Sequence, residues 1–342
     1  MKNIADLAKP KPLAERTGVS QAIFEQEIRP LGHPVVLRGL AHSWPAVSAA
    51  QQSSRDLASY LMQFDAGKEA QTFLAKPEVA GRYFYRGDMR GFNFERRNIA
   101  IAKIIEKLLE IASDGDPMGI YAGAGSSADL FPGFGSANKM ALLDENVPPL
   151  IWIGNAARIA PHFDTSENIA VAVNGERRFT IFPPDQVSNL YIGPLDFTMA
   201  GQPASMVDPV APDLNKFPNF REAMNYALVA DLEPGDAIYL PALWWHHVQS
   251  FGAFNVLVNY WWGGGENGSG LEALAHGLLS LRDRPAQEKK AWLALFQHYV
   301  FSEEASDSIG YLPDHAHGVL GKTSPERNQR IISFLLAGLN RD

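Results

Sequence analysis

Residues 162–184, HFDTSENIAVAVNGERRFTIFPP, contain two short apolar runs separated by the pair Asn174-Gly175. Apolar runs of about four to eight residues bounded by turn-forming residues are typical of strands, and an Asn-Gly pair between two of them predicts a hairpin. Similar runs, bounded by Gly, Pro, Asn and Asp, recur before and after this stretch. The frequent short strands indicate an antiparallel barrel or jelly roll from about Gly119 to Gly263.

The segments on either side of this region have different patterns. Residues 1–118 combine a few strands with helical spacing, which is clearest over 99–112, where apolar residues recur on one face. In the same segment, Pro34–Gly39 reads as a buried strand and Ser20 as the N-cap of a short helix. We therefore expect N-terminal α/β elements that pack on the core.

The C-terminal segment, residues 264–342, is rich in Leu and Ala and shows helical patterns over 271–301 and 325–339. Between the predicted strands, residues 193–230 form a long Pro-rich insertion, and insertions of this length are often functional. The expected fold class is mainly β, with a double-stranded β-helix (jelly-roll) core over 119–263 and flanking helices.

Composition excludes several classes of site. None of the 342 residues is Cys, which rules out disulfides, zinc ribbons, iron–sulfur clusters and a thiol nucleophile. A transition metal must therefore be held by His and carboxylate. The net charge of -8 argues against nucleic acid or anionic lipid as a partner. Residues 1–12 lack the apolar run of a secretory signal, and no stretch approaches a membrane span, so we expect a soluble, cytoplasmic protein.

His162 and Asp164 lie two residues apart, and on a strand such residues point to the same face. About eighty residues later, His246 or His247 lies on another apolar stretch. Because neighbouring strand residues face opposite sides, only one of this pair can join the first two. Two His and one carboxylate form the facial triad of non-haem Fe(II) sites, which leaves three coordination positions open.

The surrounding strings extend this pattern. They are P-V-V-L-R-G-L from Pro34, H-x-D…N…G-x-(K/R)-R…F-P-P-D-Q from His162, P-G-D-x-x-Y-x-P from Pro234, and W-W-H-H from Trp244. Together they resemble the JmjC-type, cupin-like Fe(II)/2-oxoglutarate dioxygenases, in the branch of the asparaginyl hydroxylase factor inhibiting HIF. The resemblance covers roughly residues 34–262. It implies an enzyme that uses Fe(II) as metal and 2-oxoglutarate as co-substrate.

The resemblance also implies roles for individual residues. His162, Asp164 and His246 match the three iron ligands, which leaves His247 as a structural residue. Tyr121 and Arg177 match residues that hold the distal carboxylate of 2-oxoglutarate. The remaining matches are two asparagines that contact the co-substrate or its water and an aromatic residue beside the metal: Asn168, Asn259 and Trp261.

Two positions depart from the family pattern. Arg177 stands where relatives usually have Lys, and it keeps the positive charge while offering a planar, bidentate donor. Ile159 stands where the nearest relatives have a Thr that donates a hydrogen bond to 2-oxoglutarate. These departures leave open a non-catalytic cupin-like protein that binds metal or a small acid, and an enzyme that uses a Lewis-acid metal.

The expected activity is hydroxylation of a protein side chain or of an amino-acid-like small molecule, because demethylation would need a methylammonium cage. Candidate substrate contacts are the insertion 193–230 and the segment Tyr83–Phe94. The resemblance further implies a homodimer formed through the C-terminal helices. His315-Ala316-His317 reads as a surface loop, because it lies between Pro313 and Gly318 with no third ligand evident.

Overall fold

The computed structural model describes residues 7–264, 270–303 and 309–340. The chain divides into two compact units, residues 1–264 and 265–342. The described strands are β1 (Lys11–Pro12), β2 (Glu15–Thr17), β3 (Val35–Arg38), β4 (Glu69–Ala75), β5 (Arg82–Tyr83), β6 (Phe94–Ala100), β7 (Gly119–Ser126), β8 (Pro149–Gly154), β9 (Ala157–His162), β10 (Glu167–Asn174), β11 (Arg177–Phe182), β12 (Leu228–Leu232), β13 (Ala237–Leu240), β14 (Trp245–Ser250) and β15 (Asn255–Trp262). The described helices are α1 (Gln21–Ile23), α2 (Pro45–Gln52), α3 (Ser54–Met62), α4 (Ile101–Glu110), α5 (Ser127–Leu130), α6 (Phe134–Ala137), α7 (Phe220–Asn225), α8 (Gly270–Ser280), α9 (Ala286–Tyr299) and α10 (Pro325–Leu339).

The strands of the first unit form two sheets. The smaller sheet has the order β1-β12-β11-β14-β9-β5, and the larger has the order β2-β3-β13-β10-β15-β8-β7-β4-β6. From β8 to β11 and again from β12 to β15, each strand lies in the sheet opposite to the strand before it. This alternation makes the jelly-roll core, so the expected mainly β fold class with flanking helices is confirmed.

The hairpin predicted at Asn174-Gly175 is wrong. β10 pairs with β13 and β15, whereas β11 pairs with β12 and β14 in the other sheet. The turn itself forms, with Gly175 at a φ of 79° and the Asn174 side chain donating to the Phe254 carbonyl at 2.7 Å. Local turn chemistry therefore fixes the reversal of the chain, while distant strands decide the pairing.

The alternation along β10 separates two layers of core. Ile169, Val171 and Val173 pack into the large cluster that also contains residues of the N-terminal helices. Ala170 and Ala172 point the other way, into the space between the sheets. Their small side chains leave room between the two sheets, and the cavity described below lies there.

The N-terminal elements follow the predicted pattern closely. The Ser20 hydroxyl accepts the Ile23 amide at 3.3 Å, as an N-cap does, and the helical turns that begin there continue to Ile28. The helix predicted over 99–112 is α4, and its apolar face, Ile101, Ile104, Ile105 and Leu108, is buried. These elements belong to the same compact unit as the jelly roll.

In the second unit, the pattern predicted over 271–301 forms two helices, α8 and α9, rather than one. Pro285 occupies the N-cap position of α9, where no intrahelical hydrogen bond needs its missing amide hydrogen. A new helix therefore begins after Pro285. The Ser324 hydroxyl caps α10 by accepting the Arg327 amide at 3.2 Å. No helix among the described residues of either unit is long and apolar enough to cross a membrane. The division of the chain at 118 and 263 stays a prediction.

Asp236, from the P-G-D string, connects the end of the N-terminal strand β3 to the start of β13. Its carboxylate accepts from Arg38 at 2.6 Å, from the Gly39 amide at 2.9 Å and from the Glu233 amide at 3.2 Å. The side chain is almost fully buried and lies at the start of β13, which pairs with β3. This residue of the family string therefore stabilises the fold and does not contact the metal centre.

We expect Asp236→Ala to lower the free energy of unfolding by about 2–3 kcal/mol, because it leaves the Gly39 and Glu233 amides without their acceptor and removes one of the two carboxylate partners of Arg38. Asp231→Ala is the matched control, because Asp231 pairs with Arg178 on the surface and should contribute below about 1 kcal/mol. Urea unfolding followed by circular dichroism measures both. Equal losses in the two variants would contradict the structural role of Asp236.

Candidate metal centre

Three side chains of the metal-ligating type meet at one point between the sheets. His162 ends β9, and strand pairing sets it directly opposite His246 of β14. Asp164 follows in the loop, with its Oδ2 3.7 Å from the Nε2 of His246. The ligand atoms of the three residues lie within 4.8 Å of one another, a group not repeated among the described residues. The geometry suits a single ion bound by two imidazoles and one carboxylate.

Asp164 does not reach the site by strand alternation, as the sequence predicted. β9 ends at His162, so strand alternation does not place Asp164 beside it. Instead, the loop carries Asp164 to the site, where its carbonyl accepts the Leu243 amide at 2.8 Å. The register between β14 and β9 also shifts between His246 and Val248. This bulge lets both Ile159 and His162 face the cavity although three positions separate them.

Both histidines are oriented by a backbone carbonyl. Nδ1 of His162 lies 2.9 Å from the carbonyl of Ala160, and Nδ1 of His246 lies 2.9 Å from that of Trp244. A carbonyl oxygen only accepts, so in each ring Nδ1 carries the proton and Nε2 keeps its lone pair for a metal. Burial, followed by the nearby His162, lowers the pKa of His246 to about 4, so the ring is neutral at neutral pH.

His247 faces away from this centre. It lies opposite Thr180 on β11 and beside Arg82, Arg158 and Asp208, which line a narrow gap on the other side of the sheet. Burial lowers its pKa to about 4 as well. In the second unit, His315 and His317 lie in a short helical loop, and Nε2 of His317 contacts the Leu312 carbonyl at 3.0 Å. Neither of these histidine groups shares the geometry of the triad.

A cavity of about 440 Å³ opens from the triad between the two sheets. All five residues expected to hold the co-substrate line it, together with Ile159: Tyr121, Asn168, Arg177, Asn259 and Trp261. Asn168 donates to the Asp164 carboxylate at 3.5 Å and accepts from Asn259 at 2.8 Å. The two asparagines therefore form a chain that orients Asp164, and the unpaired Oδ1 of Asn259 remains for a ligand.

Arg177 is a buried cation without a carboxylate partner among the described residues. Its side chain is 4 % exposed, and its Nε has no hydrogen-bond partner. Burial lowers its pKa to about 10, so it stays charged at neutral pH. Burial likewise raises the pKa of Tyr121 to about 12, which keeps its hydroxyl a donor. An uncompensated buried charge is strongly unfavourable, so the Arg177 and Tyr121 side chains are chemically suited to an anion.

Trp152 lines the cavity although no sequence pattern predicted it there, and Tyr83, from the predicted substrate-contacting segment Tyr83–Phe94, lines it too. The Trp152 ring lies 5.4 Å from Tyr121 and 6.3 Å from Trp261, and its indole N–H has no partner. A Cβ on Gly123 would lie 2.2 Å from this ring, so glycine is required there. The Tyr83 hydroxyl is also buried and unpartnered. A polar aromatic within an apolar strand was the available signal, because such a side chain needs a hydrogen-bond partner when buried.

These orphaned donors test whether Fe(II) and 2-oxoglutarate fit the cavity. The triad offers the ligand types and the open face that Fe(II) oxygenases need. The residues present therefore fit both groups.

We expect His162→Ala to abolish tight metal binding, because it removes one of three ligands, whereas His247→Asn should bind metal like the wild type. Anaerobic titration with Co(II), followed through its visible d–d bands, measures both variants. Loss of tight metal binding in His247→Asn would show that His247, and not His246, is the third ligand, and tight binding in His162→Ala would contradict the metal centre itself.

Known proteins with similar sequences identify the family to which this chain belongs. A family described as "Cupin-like domain" matches residues 20–266. The tRNA wybutosine-synthesizing protein 5 of Mus musculus is 26% identical over 269 residues, which cover 73% of this chain and 78% of that protein. HSPB1-associated protein 1 of Homo sapiens is 34% identical over 113 residues, 32% of this chain and 22% of that protein. Lysine-specific demethylase JMJ31 of Arabidopsis thaliana is 24% identical over 278 residues, 71% of this chain and 48% of that protein.

The aligned chain thus spans most of the first of these proteins, about half of the demethylase and about a fifth of the HSPB1-associated protein. The family match contains β3, the whole jelly roll and the three candidate ligands. With that match over most of its length, the chain belongs to the JmjC-type cupin-like domain family of Fe(II)/2-oxoglutarate oxygenases.

Proposed function

We propose that this protein is an Fe(II)- and 2-oxoglutarate-dependent hydroxylase that acts on a protein side chain or an amino-acid-like small molecule. One observation carries the proposal: a His-Asp-His triad and a buried, unpartnered arginine line the same cavity. The first suits a divalent metal and the second suits the far carboxylate of a dicarboxylic acid. A protein that bound only metal would have no need of the buried guanidinium.

The chain's own residues have separate tasks in this proposal. His162, Asp164 and His246 would hold the iron on one side and leave the other side open. Arg177 would bind the distal carboxylate of 2-oxoglutarate, with the Tyr121 hydroxyl as a second donor. When bound, the iron and 2-oxoglutarate supply oxidative decarboxylation to succinate and the oxidising power that hydroxylates a C–H bond.

Arginine in place of the usual lysine fits the surroundings of this pocket. Guanidinium presents a planar fork that can bind a carboxylate through two parallel hydrogen bonds, whereas an ammonium group acts as a point charge. Ile159 lines the cavity without a donor, and the unpartnered Trp152 N–H lies in the same cavity. We propose that Trp152 offsets the hydrogen bond that Ile159 lacks.

The apolar walls keep water from the reacting centre. Phe73, Phe94, Phe179, Val248 and Leu257 are among the apolar residues that line the cavity. In such surroundings each charged hydrogen bond is stronger than in water. Asn259 and Asn168 hold Asp164 in place through the chain of hydrogen bonds described above. Proton transfer by a side chain is not required for this reaction class.

Hydroxylation is proposed over demethylation because of the charge near the cavity opening. Arg96 lines the cavity beside Phe73 and Phe94. A methylated lysine would bring a second cation to these rings, where it would be repelled. The proposed reaction therefore takes a substrate without a methylammonium group.

We expect Arg177→Met to weaken 2-oxoglutarate binding about 30-fold or more, since a lost charged hydrogen bond costs about 2 kcal/mol or more. Arg177→Lys, which keeps the charge, should recover part of that loss. The anaerobic protein is titrated with Fe(II), then with 2-oxoglutarate, and the visible charge-transfer band of chelation is recorded.

The outcomes separate the alternatives. A band that weakens in Arg177→Met supports the oxygenase proposal. Metal binding without a band in the wild type would favour a Lewis-acid metal enzyme, and no metal binding would favour a non-catalytic cupin.

We propose a homodimer through the C-terminal helices, with no nucleic acid or membrane partner and a cytoplasmic location. Large apolar side chains on α9 and α10 are exposed in the second unit: Leu293, Leu295, Phe334, Leu336 and Leu339. Exposed apolar side chains in such number support an interface with a second copy. The net charge of -8 supports the absence of a polyanionic partner.

We expect the wild type to have about twice the 37.6 kDa chain mass at micromolar concentration, and Leu336→Glu to shift it towards the monomer. Light scattering coupled to size exclusion measures the mass. Leu31→Glu, at an exposed position in the first unit, is the control and should leave the mass unchanged. A monomeric wild type would refute the dimer.

A further inference from the structure

We infer that the substrate of this enzyme carries a carboxylate, which Arg96 binds at the open side of the cavity. The inference rests on the proposed function and deepens it, because it names the chemistry of the substrate. It starts from a charged side chain that the metal and co-substrate sites do not use.

Strand register places Arg96 in line with the co-substrate pocket. Arg96 of β6 lies opposite Phe73 of β4, and Phe73 lies opposite Tyr121 of β7. Directly paired residues of antiparallel strands point to the same face, and neighbouring strands lie about 4.8 Å apart. The three side chains therefore form a row about 10 Å long, from the sheet edge at β6 to the pocket at Tyr121. All three line the cavity.

Arg96 is held in place without being neutralised. Its guanidinium lies over the rings of Phe92, Phe73 and Phe94, at 4.9, 5.5 and 5.7 Å. It also donates to the carbonyl of Met199. No carboxylate lies within ion-pair distance of it in the described part of the chain, whereas the adjacent Arg97 pairs with Glu95 at 2.6 Å. A fixed cation with free donors loses little side-chain entropy when it binds an anion.

The charges around the cavity leave Arg96 uncompensated. Asp164 is the one acid that lines it, and Arg177 and Arg96 are the permanently charged bases. With the proposed iron and 2-oxoglutarate bound, the divalent metal and Arg177 balance Asp164 and the two carboxylates of the co-substrate. The charge on Arg96 then remains for the substrate.

Two segments meet at this point. Phe197, in the insertion, stacks on Phe92 at 4.9 Å, and its carbonyl accepts the Tyr85 hydroxyl at 2.5 Å. The insertion then runs past Arg96 along the cavity, where Thr198 and Gln202 are among its lining residues. The insertion 193–230 and the segment Tyr83–Phe94, which were both predicted to contact substrate, therefore both contribute residues around Arg96.

A carboxylate suits this setting better than a phosphate chain. A single arginine in a cavity that the neutral residues Gln71, Thr198 and Gln202 also line matches one carboxylate, which guanidinium can bind with two parallel hydrogen bonds. Nucleic acid binding uses several cations in a stripe, and the net charge here is -8. The structure therefore assigns an acidic amino-acid side chain, or a small acid of that kind, to this subsite.

The experiment measures binding of matched probes to protein loaded anaerobically with Mn(II) and 2-oxoglutarate. N-acetyl-aspartate amide and N-acetyl-glutamate amide represent peptide side chains, and free aspartate and glutamate represent small acids. The asparagine and glutamine counterparts of each probe are the neutral controls. Calorimetry or ligand-observed NMR gives the affinities. We expect at least one acidic probe to bind about tenfold or more tightly than its neutral counterpart.

Variants separate charge recognition from packing. Arg96→Met should remove the preference for the acidic probe, and Arg96→Lys should keep part of it. Arg97→Met, on the same strand but on the opposite face, should keep all of it. A purely structural role for Arg96 would weaken acidic and neutral probes alike, and Arg96→Gln provides a second variant if the methionine variant folds poorly.

Equal binding of acidic and neutral probes, or no binding of any acidic probe, would overturn the inference. So would an undiminished preference in both Arg96→Met and Arg96→Gln. Failure of the proposed function shows itself earlier and separately, because the protein would then not bind metal or 2-oxoglutarate before any probe is added. The peptide-like and free-acid probes distinguish a protein substrate from a small molecule.

Discussion

The site depends on the pairing of β9 with β14. This pairing sets His162 opposite His246, and a bulge in the register returns His162 to the face that Ile159 already occupies. Without the bulge, simple alternation would turn one histidine away from the cavity. The backbone carbonyls of Ala160 in β9 and of Trp244 just before β14 then fix both rings with Nε2 free. The sheet itself therefore sets the ligand geometry, and the loop has only to deliver Asp164.

A second constraint is the buried charge of Arg177. Its position at the start of β11 follows from the crossing of the chain between sheets at Asn174-Gly175, because that turn sends the next strand into the smaller sheet. The guanidinium thus enters the cavity from the side opposite Tyr121, which belongs to the larger sheet. Burial without a carboxylate partner among the described residues is unfavourable in the free protein, and the proposed 2-oxoglutarate would relieve it. The proposed anion binding at this residue would therefore depend on the fold topology.

The small residues on one face of β10 leave space for the cavity between the sheets. The residues that face the helices are Ile169, Val171 and Val173, whereas those that face the other sheet are Ala170 and Ala172. The large residues on one face pack into the hydrophobic core. The alanines on the other face are too small to fill the space between the sheets. A cavity with apolar walls results, which strengthens the few polar contacts inside it.

The sequence by itself determined the strand-rich centre, the N-terminal helices and the residue types of the metal site, because these depend on periodicity and on strings that act locally. The resemblance of those strings to the JmjC-type family also pointed to Arg177, His162 and His246. Only the tertiary structure decided that Asn174-Gly175 joins two sheets, that Asp164 reaches the site from a loop, and that Trp152 and Arg96 line the cavity. Those features depend on which distant strands pair and in which register, and a pattern along the chain carries no such information.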